Sequence, residues 1–279
     1  SAFSSFLTCP LDYYYRRILR LQPLEESEES LQANTFGSIT HKALENLYSP
    51  FLQKFLKVED IEAIRRNAEN ELRLAFAAQN LQIKTGKNHL AFQVALQYIR
   101  NFLAFEKKRI ANSKDKVQLL VLEKRFERTI RMDLRGLGPI DVKLTGQVDR
   151  VDKVGNLIQI IDFKTGGMLD RELAIKTVDD ILLPKYSKAL QLAMYSILFS
   201  EQYPQNKICP SIFFLRLPSR GLVTFPDAGQ GVEESFVESA IEVVEEGLFQ
   251  LLNSTNPFYH SSDASYCQFC SDVVPQKRF

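Results

Sequence analysis

The chain has 279 residues, of which 35 are Lys or Arg and 34 are Asp or Glu, and 45% are hydrophobic. These proportions exclude a disordered tail, a collagen-like chain and a disulfide-rich miniprotein, and they supply ample apolar material for a core. A net charge of +1 is not that of a uniformly basic nucleic-acid protein, although a total says nothing about how charge is distributed.

No apolar run approaches the ~18–20 residues that span a bilayer. Ser1 to Phe6 has neither the basic nor the long apolar stretch of a secretion signal. Four cysteines in a chain of this length do not suggest a disulfide framework, so a reducing, cytoplasmic setting is expected.

The first third reads as helix. Ile39, Ala43, Leu44 and Leu47 recur at helical spacing within Phe36 to Tyr48. Ile61, Ile64, Ala68, Leu72 and Ala75 do the same over Ile61 to Ala78. A longer helix is expected over His89 to Ile110, with Phe92, Leu96, Ile99, Leu103 and Phe105 available for its apolar side and a loop over Lys84 to Asn88 before it. The middle changes period. Val117 to Val121, Phe126 to Met132, Ile140 to Val154 and Leu157 to Lys164 read as strands. A helix over Ser187 to Ser200, strands over Ile208 to Leu217 and Gly221 to Phe225, and a helix over Val232 to Leu252 follow. This order implies an α/β fold, a mixed sheet flanked by helices.

Gly155-Asn156 between two alternating runs predicts a tight hairpin. With these as the loop residues, Val154 faces Leu157 and, counting back in step, Asp149 faces Asp162. Directly opposed Cβ atoms lie about 4.5–5.5 Å apart, so two like charges there are destabilising unless something offsets them. Lys164 lies on the same face, opposite Gln147. A divalent cation would compensate the pair and could activate a water at a phosphoryl centre, with the ammonium beside it. A surface hairpin with solvated charges is the alternative reading, and Asp141-Val142-Lys143 matches the bare Asp-x-Lys pattern equally.

Four segments, in order, resemble the RecB-like branch of the PD-(D/E)xK nuclease superfamily. They are Gly37-Ser38-Ile39-Thr40-His41-Lys42-Ala43-Leu44-Glu45, Gly146-Gln147-Val148-Asp149-Arg150-Val151-Asp152, Asp162-Phe163-Lys164-Thr165-Gly166 and Gln191-Leu192-Ala193-Met194-Tyr195. The resemblance implies a restriction-endonuclease-like fold over residues 1–279, with a helical insertion at about 51–112 and a tail at about 254–279 that packs near the N-terminus. It implies that His41, Asp149, Asp162 and the Phe163 carbonyl bind Mg²⁺ or Mn²⁺. Lys164 is then the catalytic lysine, and Gln191 and Tyr195 line the site. The implied activity is that of a DNA nuclease, in particular an exonuclease acting on single strands or duplex ends in repair and recombination. Its implied partner is a helicase module. No phosphate-cradling Gly-x-x-x-x-Gly-Lys-Ser/Thr motif is present, so no ATPase is expected. The other readings are a degenerate module that binds DNA or a partner, and a stand-alone RecB-like nuclease of CRISPR adaptation or a mobile element.

Thr8-Cys9-Pro10-Leu11-Asp12-Tyr13-Tyr14-Tyr15 resembles the entry of AddB-type nuclease domains, in which one leading and three trailing cysteines hold a [4Fe–4S] cluster. Cys267-Gln268-Phe269-Cys270 supplies a trailing pair, but Ser271 to Phe279 contains no cysteine and Gln276 stands about where one is expected. Clusters want four thiolates, so none is expected here. Three thiolates could hold Zn²⁺ with a fourth ligand such as His260, or could be relics in a fold closed by packing. Cys209 reads as core. The remaining charges suggest sidedness. Lys107-Lys108-Arg109, Lys124, Arg125, Arg128, Arg131 and Arg135 lead into the hairpin and read as a basic, DNA-facing side, whereas Glu25 to Glu29 and Glu233, Glu234, Glu238, Glu242, Glu245 and Glu246 read as an acidic side remote from it.

Overall fold

The computed structural model describes residues 2–22, 32–134, 138–167, 172–226, 230–253, 255, 257–262, 264, 267 and 269–270. Glu25 to Glu29, Arg135, Gln268 and Ser271 to Phe279, to which the sequence reading gave roles, lie outside the described residues.

Helices α1 (Ala2–Thr8), α2 (Pro10–Tyr13), α3 (Ala33–Tyr48), α4 (Val58–Ala78) and α5 (Gly86–Asn112) come first. Each of the three longer ones forms where apolar residues recur every three or four positions. α3 buries Ile39, Ala43, Leu44 and Leu47, and α4 buries Ile61, Ile64, Ala68, Leu72 and Ala75. At the start of α4 the Asp60 carboxylate accepts the Lys57 N–H at 2.9 Å, which fixes where the helix begins. α5 starts at Gly86, so the expected loop over Lys84 to Asn88 is shorter. Gly86, Lys87 and Asn88 carry no apolar signal from which that turn of helix could be read.

Five strands form one sheet in sequence order: β1 (Val117–Leu134), β2 (Gly138–Val154), β3 (Leu157–Lys164), β4 (Lys207–Phe214) and β5 (Leu222–Thr224). Neighbours are antiparallel except β3 and β4, which are parallel and joined by the segment holding α6 (Ser187–Ser200). β1 is one strand rather than two. Its register shifts between Leu119↔Asp152 and Val121↔Val151, a bulge that hides its continuity in the sequence. The strand expected to reach Leu217 ends at Phe214, because Pro218–Arg220 turns the chain back into β5. Helix α7 (Glu234–Leu252) starts two residues later than expected; Val232 bridges to Ile208 instead.

The sheet is covered on both faces. Ile158, Ile160, Ile212 and Phe214 pack with α6 and α7, while Ile161, Phe163, Phe213 and Leu215 pack with α3, α4 and α5. Phe102 of α5 touches both Phe163 and Phe213, with ring centroids 4.9 Å apart in each case. This two-layer cover is the restriction-endonuclease-like α/β arrangement.

Gly146 sets how closely α6 approaches β2. A Cβ there would stand 2.7 Å from Leu198 Cδ1 and 3.6 Å from Tyr195 Cε1. Gly146→Val is therefore expected to lower stability by about 1–3 kcal/mol, read as a lower urea midpoint at unchanged slope.

Candidate active site

The pairing of β2 with β3 runs from Val154↔Leu157 to Arg150↔Ile161 and stops one step before the two aspartates. At that point the backbone of β3 finds a side chain in place of a strand. The Phe163 N–H donates to Asp149 Oδ2 at 2.6 Å. The ladder ends because a carboxylate has taken over its next hydrogen bond, and the two strands part to leave a cleft between α3 and α6.

Four side chains from four elements meet there. His41 of α3 places Nδ1 3.5 Å from Asp149 Oδ2 and 3.7 Å from Glu123 Oε1. The possible ligand atoms of His41, Glu123 and Asp149 all lie within 4.8 Å of one another. Glu123 comes from β1. Leu122 pairs with Arg150 and Lys124 with Val148, so Glu123 stands across from Asp149, with φ 41°. A left-handed backbone at a non-glycine residue is costly, and here it accompanies a carboxylate directed into the cleft. Its Oε2 accepts from Gln147 Nε2 at 2.9 Å. Sequence reading missed Glu123, which falls between two apolar runs.

Asp162 occupies the α6 side of the same cleft. Its Oδ1 accepts from Gln191 Nε2 at 2.8 Å and from the Tyr195 hydroxyl at 3.2 Å, and Oδ2 faces Lys164 Nζ at 2.7 Å. Tyr195 also lies 2.8 Å from the Gln147 carbonyl and accepts from Gln191 at 2.9 Å. Gln191 and Tyr195 thus act as a brace, one helical turn of α6 holding Asp162. The structure brings together His41, Asp149 and, through these contacts, Asp162, Lys164, Gln191 and Tyr195. For Phe163 it records the amide against Asp149. Glu45 lies one turn beyond His41 and takes the Lys42 ammonium at 2.7 Å.

The charges are out of balance. Burial raises the Asp162 carboxyl and Asp149 raises it further, and Lys164 only partly offsets both. Burial and Asp149 likewise lift Glu123 above the usual carboxylate range. Burial works to lower the His41 pKa, but the hydrogen bond and charge of Asp149, with Glu123 and Asp162, leave it raised. Three carboxylates and one imidazole converging in a partly buried cleft fit an oxygen-preferring divalent cation.

Several basic residues expected to face DNA are engaged inside the protein. Arg109 lies 2.9 Å from Glu106 and 2.5 Å from Asp152. Arg128 binds the Ile197 carbonyl and Ser200 at the end of α6, whereas Lys107 pairs with Glu62 at the surface. Lys108, Lys124, Arg125 and Arg131 are exposed, with Arg131 3.7 Å from Asp141. Cys209 is buried beside Gln159.

A model of the PD-(D/E)XK nuclease superfamily matches residues 1–271. The chain belongs to that superfamily. Membership in this nuclease superfamily accords with a cleft that brings Asp149, Asp162 and Lys164 together. A curated protein of Rickettsia felis, without assigned function, is 26% identical over 161 residues. That match covers 56% of this chain and 17% of the relative, so the chain spans a small part of its relative's length. Among solved structures, a "Putative exonuclease" from Eubacterium rectale aligns with TM-score 0.46 and 12% identity, over 100% of this chain and 88% of that one. A structure named SSO0001 aligns with TM-score 0.33 and 16% identity, over 99% and 98%. Among the described residues no helix is long and apolar enough to cross a membrane.

Proposed function

We propose that this PD-(D/E)XK protein hydrolyses phosphodiester bonds of DNA, with a divalent cation, Mg²⁺ or Mn²⁺, bound by His41, Glu123, Asp149 and Asp162. The observation that carries the reading is the convergence of His41, Glu123 and Asp149, with Asp162 and Lys164 beside them, at the point where the β2–β3 ladder ends. When bound, such an ion lowers the pKa of a water and neutralises charge building on a phosphoryl oxygen. The chain's own residues do the rest. Lys164, whose side chain is one-third exposed, orients the attacking water and stabilises negative charge in the transition state. Gln191 and Tyr195 fix the Asp162 carboxylate so that no reorganisation is needed as charge develops. The Phe163 amide holds Asp149 in the same way.

Cleavage of end-labelled single-stranded DNA tests this. The wild-type protein should cut in Mg²⁺ or Mn²⁺ and stop in chelator, and Asp149→Asn should be slower by about 10²-fold or more. Uncut DNA under all these conditions would leave the degenerate binding module as the reading. We further propose exonuclease action in repair or recombination alongside a helicase, which the resemblance to AddB-type domains supports. An exonuclease should shorten linear DNA from an end and leave a circular single strand intact. Glu123→Gln should weaken Mn²⁺ binding about 10–100-fold in a calorimetric titration, because it removes one anionic donor while keeping the shape.

A further inference from the structure

The two ends of the chain meet on a second cluster, remote in sequence from the cleft. Cys9 stands just before α2, and its Sγ lies 3.8 Å from Cys270 Sγ and 3.5 Å from His260 Nδ1. With Cys267, all four possible ligand atoms lie within 4.8 Å of one another. The three cysteines are buried and unbonded to one another. The surroundings hold this geometry independently of the four. The Leu11 N–H donates to the Tyr259 carbonyl at 3.0 Å. Phe258 stacks on Tyr14 with centroids 5.1 Å apart, and Arg16 lies over Phe269 at 5.7 Å. The buried Asp12 carboxylate takes Arg16 at 2.8 Å and faces the Phe269 amide at 3.5 Å.

We propose that Cys9, His260, Cys267 and Cys270 form a tetrahedral site for one zinc ion, which staples the tail to the N-terminal helices. The distances decide the class of ligand. Sulfurs about 2.3 Å and a nitrogen about 2.0–2.1 Å from one ion at tetrahedral angles stand about 3.8 Å apart, sulfur to sulfur, and about 3.6 Å, sulfur to nitrogen. The observed 3.8 and 3.5 Å match both. A cubane iron–sulfur cluster instead puts its thiolates on four different irons and therefore holds them much farther apart. A disulfide needs sulfurs about 2.05 Å apart, and one joining any two of the cysteines would leave a thiol and an imidazole without purpose in the same small volume. The donor set, three sulfurs and one nitrogen with a Cys-x-x-Cys pair, is that of closed structural zinc sites. Four protein ligands leave no open position for a reacting water, so the ion is structural. It would tether α1 and α2 to the tail; α1 in turn packs on α7, where a Cβ on Gly247 would stand 2.6 Å from Phe3 Cζ.

Elemental analysis of the 279-residue protein, purified without added metal, tests this together with cobalt exchange. One zinc per chain is expected, with no stoichiometric iron or sulfide. Cobalt in its place should give the strong visible bands of a tetrahedral site and thiolate charge transfer in the near ultraviolet. Asp149→Asn should keep the zinc and the charge-transfer band, which separates this site from the carboxylate cleft. Cys270→Ser should lose the band or weaken it severalfold. His260→Cys, which keeps a complete ligand set, should stay loaded and strengthen it. Iron with sulfide in the wild-type protein, absence of both zinc and a cobalt–thiolate band, or a band unchanged in folded Cys270→Ser would overturn the proposal.

Discussion

Lys164→Ala is expected to slow DNA cleavage by about 10²–10³-fold while leaving the fold intact. The ammonium lies 2.7 Å from Asp162 Oδ2 at the mouth of the cleft, and its own side chain is 33% exposed while that of Asp162 is 4% exposed. A lysine so placed reaches both solvent and the buried carboxylate. Its removal takes away the positive charge nearest the reacting centre, where hydrogen bonds and charges act in low dielectric and count for more than in water. Stability should change little by comparison, because Gln191 and Tyr195 still hold Asp162 Oδ1. Lys164→Arg should recover only part of the rate, since the planar guanidinium presents its donors differently from a compact ammonium. Single-turnover rates with saturating metal separate these variants. Equal rates for wild-type and Lys164→Ala proteins would contradict the role given to the lysine.

Arg150→Met should be the most destabilising of the substitutions considered, by about 3–5 kcal/mol. Arg150 is fully buried between the sheet and helices α3 and α5. Its Nε lies 2.8 Å from Asp152 Oδ1, its Nη2 lies 2.6 Å from Glu106 Oε1, and its guanidinium sits 4.5 Å from the Tyr48 ring centroid. Arg109 closes the set on Glu106 and Asp152. Burial opposes ionisation of Glu106, but Arg109 and Arg150 overcome it and hold its pKa at about 2. Without Arg150, two buried carboxylates share one guanidinium and the unmatched charge has no access to water. For a chain of this size the loss corresponds to a fall in Tm of about 10 °C, readable by calorimetry. The Glu106 contribution to stability is complete above the ordinary carboxylate range and is lost as pH falls toward about 2, so acid unfolding of the wild type should show it. Replacing Arg109, Arg150, Glu106 and Asp152 together by apolar residues should cost less than Arg150→Met, because no charge of the network is then stranded.

The contrast between these two sites shows what a sequence makes legible. Gly155-Asn156, taken as a two-residue turn, defines the β2–β3 register, because so tight a turn fixes which residues face each other. The register predicts Asp149 opposite Asp162, and the ladder follows it as far as Arg150↔Ile161. What the pattern does not reveal is that Asp149 would replace a strand in bonding the Phe163 amide. Glu123 stands across from Asp149 only once the β1–β2 register, Lys124↔Val148 and Leu122↔Arg150, is known. The bulge between Leu119 and Val121 and the charged stretch after it break the apolar alternation from which that register could be read. The buried ion network was not legible. Glu106, Arg109, Arg150 and Asp152 come from a helix and a strand far apart in sequence, and charge in a motif reads as exposed until packing is known. Arg109 accordingly read as part of a DNA-facing run and proves to be held by two carboxylates.

The proposed divalent cation on His41, Glu123, Asp149 and Asp162 has a direct structural readout. A crystal of the protein soaked in Mn²⁺ and measured for anomalous scattering tests it most directly. A peak is expected within direct-ligand distance of the His41 imidazole and the Asp149 carboxylate, absent from Asp149→Asn crystals soaked in the same way. A cleft without a peak at saturating Mn²⁺, or a peak that leaves these two side chains untouched, would contradict it.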